Sequence, residues 1–364
     1  MPKNILLVML EFDNWLQARA WSYTGAWAFH DGLTAIGHNC TVFLATHGKK
    51  DDNPKELSAR LRAVLKENSY DQVWIWCVHT NFDAEFWGLL RETIPIRIGI
   101  LMESLSMTAD EIAIVPQFSD RKLKTYAQLL NCTHALAVDE ADVTSISNDL
   151  SIPTLWNTVS VPKRFITSLP PPVEEHAVFI GNKYGPRKEY LEDPQFAQIL
   201  TRPHIPERNT TLPEQYDAAH AAYHALKDSG NAPPSTHNDH ISVIATIRAK
   251  LFQLHLMGIR MGFCSVGLPS IVKAHTARVA EAMAASTPVV NWIPPQRPRC
   301  EALFVNQVEY IGYRDKTELL NILVTLKSDP ELRHSMTIAG RDALTNRHTS
   351  EVAMHNFSLL RDNA

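Results

Sequence analysis

The sequence has few of the residues that betray a function at first sight. Its five cysteines, Cys40, Cys77, Cys132, Cys264 and Cys300, are odd in number and scattered, with no CxxC pair. That argues against a disulfide framework or a zinc ribbon, and for a reducing compartment. No apolar run approaches the roughly 18 residues a membrane span requires. Peripheral membrane contact stays open. Met1-Pro2-Lys3-Asn4 leads straight into a short apolar stretch without a cleavage pattern, so a cytoplasmic location is expected. Neither sign of charge dominates: 35 basic against 39 acidic residues give a net charge of −4, which disfavours a general grip on nucleic acid. The fourteen glycines form no GxGxxG, GxxxxGK[ST] or GxSxG. Dehydrogenase, phosphate-loop and α/β-hydrolase readings lose their usual signatures. HExxH and Asp-x-Asp are missing as well, so no metal and no bound cofactor is expected.

What remains is an ordinary globular mixture, 45% apolar and 20% charged over 364 residues. That length suits two domains of roughly 150–200 residues. Ile5–Leu10 (ILLVML), Cys40–Leu44, Gln72–Val78, Ile96–Met102, His134–Val138 and Pro153–Trp156 read as strands. The first of them is a continuous apolar run, as in sheets covered on both faces. Between them lie helical stretches, one starting at Asn53-Pro54 with Glu56 in capping-box position and Leu57, Leu61, Val64 and Leu65 as its apolar face.

Ser168-Leu169-Pro170-Pro171-Pro172 is the linker candidate. A second alternating segment begins at Ala177–Ile180 and is interrupted from about 203 to 240 by an insertion with one helix near 213–227. The pattern resumes with a helix over 241–257, strands at 264–268, 288–292 and 308–313, and helices around 278–285, after Asp329-Pro330, and over 350–361. The expected fold is α/β: two doubly wound Rossmann-like domains facing a cleft, residues 1–168 and 169–349, with 350–364 as a closing helix packed back on the first domain.

The most informative segment is Arg278-Val279-Ala280-Glu281-Ala282-Met283-Ala284-Ala285-Ser286-Thr287-Pro288-Val289-Val290. It reads as a helix carrying one acid among small apolar residues, a turn, and a strand. Read blandly, Glu281 is an exposed acid paired with Arg278 three positions earlier. The lettering, however, resembles the EAMA-x-G-x-PVV segment of retaining GT-B glycosyltransferases, with Ser286 where that family usually has glycine. The family's E-x7-E pair is broken, because Lys273 stands eight positions before Glu281, and the pattern is similar to the CgeB-like branch of glycosyl transferases group 1. Val178-Phe179-Ile180-Gly181-Asn182 with Arg187-Lys188 resembles the segment opening that family's C-terminal domain, and Gly340-Arg341 with His348-Thr349 its terminal helix pair.

The resemblance implies that a nucleotide-diphosphate sugar is bound by the second domain, as co-substrate. Glu281 would hold the ribose hydroxyls. Lys273, His275, Arg278, Arg187 and Lys188 would offset the diphosphate without a metal, and Gly181, Asn182 and Thr287 would line the pocket. The acceptor side falls to the first domain. There Glu103, after the fourth strand, and His79, after the third, are the catalytic candidates, and Asp139 is a lesser one. The acceptor itself (glycan, lipid-linked glycan, protein or small molecule) stays open. His220 and His224, four apart, with His237 and His240 nearby, have metal-like spacing but read as surface histidines; Trp21, Trp27, Trp74, Trp76 and Trp87 read mostly as core. A nucleotide-sugar epimerase and a non-catalytic bilobal binding protein share the architecture and are the alternatives.

Overall fold

The computed structural model describes residues 2–12, 14–19, 23–47, 54–203, 211–229, 234–271, 273 and 277–359. Asn53, Trp21 and His275 lie outside the described residues. The chain divides into two compact units, Met1–Asn157 with Glu207–Leu251, and Thr158–Pro206 with Phe252–Ala364. Among the described residues no helix is long and apolar enough to cross a membrane.

The first unit is built on a six-stranded parallel sheet: β1 (Asn4–Phe12), β2 (Asn39–His47), β3 (Gln72–Trp76), β4 (Ile96–Leu101), β5 (His134–Ala137) and β6 (Thr154–Trp156). The spatial order is β2-β1-β3-β4-β5-β6. Each strand expected from its apolar run is present, and Ile5 to Leu10 are all buried. Leu6, Val8, Val73 and Ile75 pack with Leu57, Leu61, Phe86 and Leu90 from the flanking helices, each full burial being worth roughly 1.5–3 kcal/mol. Trp27, Trp74, Trp76 and Trp87 belong to this core. Gly99 in β4 is a matter of space. A Cβ there would lie 2.5 Å from Leu129 Cδ2 and 3.1 Å from the sulfurs of both Cys77 and Cys132. The strand order reverses between β1 and β3, and residues following the strands' carboxyl ends are where such sheets present ligand-binding groups. His79 and Glu103 occupy that position after β3 and β4.

Both helices expected here are present, Leu212–Ser229 and Pro234–Ile259, and the second reaches back into the segment expected to be irregular. The longer one starts seven residues ahead of the expected Ile241, with proline at its first position, where the missing N–H costs nothing. Up to Leu251 this segment groups with the first unit, and one carboxylate explains why. Glu11, at the end of β1, accepts from Trp27 Nε1 at 2.7 Å and Tyr216 Oη at 3.1 Å, and Arg248 Nε lies 3.3 Å from its Oε2. Arg248 also donates to Ala18 O at 2.5 Å. His220, expected on the surface, is buried, its ring 4.5 Å from that of Tyr216.

The second unit holds a five-stranded parallel sheet: β7 (Ala177–Val178), β8 (Leu200–Thr201), β9 (Ser265–Gly267), β10 (Val289–Trp292) and β11 (Ile311–Tyr313), in the order β11-β10-β9-β7-β8. β8 has no apolar run like Ala177–Ile180 to mark it in the sequence. Asp329 caps the Pro330–Arg347 helix as its sequence suggests, accepting from Leu332 N at 2.9 Å. The last helix, Ser350–Leu359, falls in this unit.

The Ala277–Ala284 helix ends in a Schellman turn: Thr287 N donates to Ala282 O at 2.9 Å and Ser286 N to Met283 O at 3.1 Å. That turn puts its penultimate residue in the left-handed region, and Ser286 has φ +50°. This is the physical reason a glycine suits the position. Serine tolerates it here because its hydroxyl donates to Thr167 O at 2.5 Å. Ser286→Ala keeps the strain and loses that bond, so we expect it to cost about 1–2 kcal/mol. Ser286→Gly should be more stable than the alanine variant by about 1 kcal/mol, reversing the usual order of the two residues. Urea unfolding of the three proteins checks this; alanine at or above glycine contradicts it.

Candidate functional site

In the second unit the sequence-chosen residues gather around the loop after β7, the loop after β9 and the Ala277–Ala284 helix. Val279, Ala280, Ala282, Met283 and Ala284 are all buried, so this helix is packed on every side and its small residues let neighbours come close. Glu281 is therefore not an exposed acid. It is 2% exposed, and its Oε2 lies 2.9 Å from His255 Nε2. His255, on the Pro234–Ile259 helix, had no signal in the sequence.

Arg278 turns elsewhere, donating through Nε to Ile180 O, with its guanidinium 5.9 Å from the centre of the Phe179 ring. Burial lowers its pKa, and the charge of Glu281 opposes the shift. Gly181 makes room for it, since a Cβ there would come within 3.0 Å of Arg278 Nη2 and 2.7 Å of Phe179 Cζ. Arg187 is buried and fastens two loops, donating to Pro269 O at 3.0 Å and Asn182 O at 3.2 Å, with Tyr184's ring 4.5 Å away. Its pKa is lowered by burial, against the influence of Tyr184. Arg202 Nη2 donates to Gly181 O at 2.9 Å. Lys273 is buried; Lys188 and Asn182 are exposed. Thr287 is buried within the Schellman turn, its hydroxyl 3.3 Å from Ala285 O. The result is two arginines fixed on backbone carbonyls, Arg278 near enough to the buried Glu281 carboxylate for their charges to interact, an arrangement suited to an anion.

The first unit brings its two catalytic candidates together. His79 Nε2 lies 3.1 Å from Glu103 Oε2, and Arg121 Nη2 lies 2.5 Å from the same oxygen. The proton on Nε2 belongs between histidine and carboxylate, so Arg121 Nη2, 3.5 Å from that nitrogen, is a neighbour rather than its donor. Arg121 is nearly buried, its guanidinium 3.5 Å from the centre of the Phe118 ring. His79 itself has φ +63°. A non-glycine residue held there costs of order 1–3 kcal/mol, and such strain concentrates at functional sites.

The segment carrying Glu103 is pinned from below. Asp142 accepts from Leu105 N at 2.7 Å and Ser106 Oγ at 2.6 Å. Burial pushes its carboxyl up to about 6, against both of those bonds. Asp139, the lesser candidate, is buried and caps the Glu140–Leu150 helix through Ala141 N at 3.0 Å. Arg121 and Asp142 went unnoticed in the sequence, where each reads as an ordinary residue in the first turn of a surface helix. Among the described residues no group of three or more His, Cys, Asp or Glu side chains is placed to hold a metal ion.

Comparison with known proteins bears on the second unit most directly. Residues 217–358 match a family described as glycosyl transferase-like. That stretch contains His255, Lys273, Arg278, Glu281 and Thr287, but not the residues of the β7 loop or the His79–Glu103 pair. No curated protein matches the sequence. Among solved structures, Alr3699/HepE of Anabaena, determined with UDP and glucose, is 10% identical over 100% of both chains, with a TM-score of 0.59. The lipopolysaccharide outer core galactosyltransferase WaaB is 12% identical over 99% of each chain, with a TM-score of 0.52. WaaG, a glycosyltransferase of lipopolysaccharide biosynthesis, is 10% identical over 98% of this chain and 99% of its own, with a TM-score of 0.51. At such identities the likeness concerns the fold. The fold is GT-B, two parallel-sheet Rossmann-like units, and together with the matched segment it supports a glycosyltransferase.

Proposed function

We propose that this protein is a glycosyltransferase that moves a sugar, of hexose type, from a nucleotide-diphosphate donor to an acceptor hydroxyl, with retention and without a metal. The observation that carries the reading is Glu281, a buried carboxylate inside the glycosyl transferase-like segment, bonded to His255 and within reach of the charge of Arg278. In this reading Glu281 accepts the ribose hydroxyls, and Lys273, Arg278, Arg187 and Lys188 lower the negative charge of the departing diphosphate. Gly181, Asn182 and Thr287 shape the pocket. Retention is carried over from the sequence resemblance, and metal independence rests on fixed cations standing where other transferases use Asp-x-Asp. On the acceptor side, Glu103 binds or deprotonates the hydroxyl and His79 holds it in place, with Arg121 paired to the same carboxylate. Five cysteines with no disulfide among them suit a cytoplasmic protein.

Two measurements test this. A ligand that binds only the folded state stabilises it by about 2.7 kcal/mol at a hundredfold excess over Kd, so one of UDP, GDP or ADP should raise the melting temperature while CMP does less. Transfer from the sugar conjugate of that nucleotide should then persist in excess EDTA. No shift with any diphosphate contradicts the donor assignment, and loss of turnover on chelation contradicts metal independence.

A further inference from the structure

We infer that His255 is a positioning residue for Glu281, and that it confers selectivity for a ribose over a deoxyribose. This rests on the reading of Glu281 as the ribose-binding group. His255 Nε2 and Glu281 Oε2 are 2.9 Å apart, close enough that the ring N–H donates to the carboxylate. The ring is itself fixed. Phe252, one helical turn earlier on the same helix, lies parallel to it, with centroids 6.0 Å apart and planes at 16°. Phe165 meets Phe252 edge-on at 4.9 Å.

The last torsion of a glutamate is broad and poorly defined by itself. Recognition of a vicinal diol, in contrast, requires the carboxylate plane to face both hydroxyls. A donor anchored on Oε2 removes that freedom before the ligand arrives, and leaves Oε1 as the oxygen whose direction is set. Arg278, whose charge reaches Glu281, directs its Nε at Ile180 O. Selectivity between ribose and deoxyribose follows from His255 because a carboxylate free to turn can satisfy one hydroxyl as well as two.

The experiment is calorimetric titration of the full chain with UDP, GDP, ADP and their 2′-deoxy counterparts, for the wild type, His255→Leu, His255→Gln and Glu281→Gln. For the base that binds, the wild type should prefer the ribonucleotide by about tenfold or more, the weight of one hydrogen bond to a charged group. His255→Leu should lose that preference by weakening the ribonucleotide alone. Its donor KM should rise about tenfold while kcat stays within about threefold. In His255→Gln the side-chain amide reaches the same oxygen, so most of the preference should return. A preference unchanged in His255→Leu, an equal loss of both sugars, or no rescue by glutamine overturns the inference. The parent reading fails in a different way: the wild type and Glu281→Gln would both treat the two sugars alike, or no nucleotide would bind. If Glu281→Gln erases the preference and His255→Leu keeps it, Glu281 stands and His255 falls.

Discussion

Glu281→Ala is expected to lower kcat/KM for the sugar donor by roughly 10²–10⁴-fold, with the fold intact. The estimate follows from two hydrogen bonds between a carboxylate and the ribose diol, each worth about 1.5–3 kcal/mol when one partner is charged. A buried site makes such bonds count more than they would in water. The loss should fall mainly on donor affinity. Folding should survive, because alanine fits a helix whose neighbouring residues are already Ala280, Ala282 and Ala284, and because Arg278 keeps its bond to Ile180 O. Circular dichroism and the melting temperature check the second half, and steady-state kinetics the first. Wild-type kinetics from a well-folded Glu281→Ala protein would remove the central assignment.

The same residue marks how far the sequence alone leads. A lone acid in EAMAAS is visible because everything around it is small and apolar, and its burial agrees with that pattern. β1 is visible for a related reason: a strand covered on both faces writes itself as an unbroken apolar run, here Ile5 to Leu10. β3 and β4 in turn lead to His79 and Glu103 at their ends, though only the folded chain shows that the two share a hydrogen bond. Their partners are hidden by distance along the chain. Arg121 lies 18 positions after Glu103, His255 lies 26 before Glu281, and Tyr216 meets Glu11 across 205 residues. No periodicity encodes such pairs. The strain at His79 and Ser286 is equally silent, since both residues would be ordinary anywhere else.

Arg248→Ala should be the most destabilising single change in the first unit, by about 3–5 kcal/mol in urea unfolding. Arg248 and Glu11 are each 1% exposed, and removing one member of a buried ion pair strands the other charge in a low-dielectric interior. Here the stranded group is a carboxylate that also receives Trp27 and Tyr216, so it cannot turn out to water without breaking those bonds too. Alanine would in addition leave the space of a large buried side chain and release Ala18 O. The pair itself contributes less than this number suggests, because both ions must be desolvated for it to form. Replacing both together, as Glu11→Gln with Arg248→Met, should therefore recover most of the loss: the glutamine carbonyl keeps an acceptor for Trp27, its amide N–H can donate to Tyr216 Oη while that hydroxyl donates to Phe12 O, and methionine fills volume without a charge. A double variant as unstable as Arg248→Ala would mean that the charges themselves hold the Leu212–Ser229 and Pro234–Ile259 helices to the end of β1. A single variant within about 1 kcal/mol of wild type would mean that water already reaches the pair.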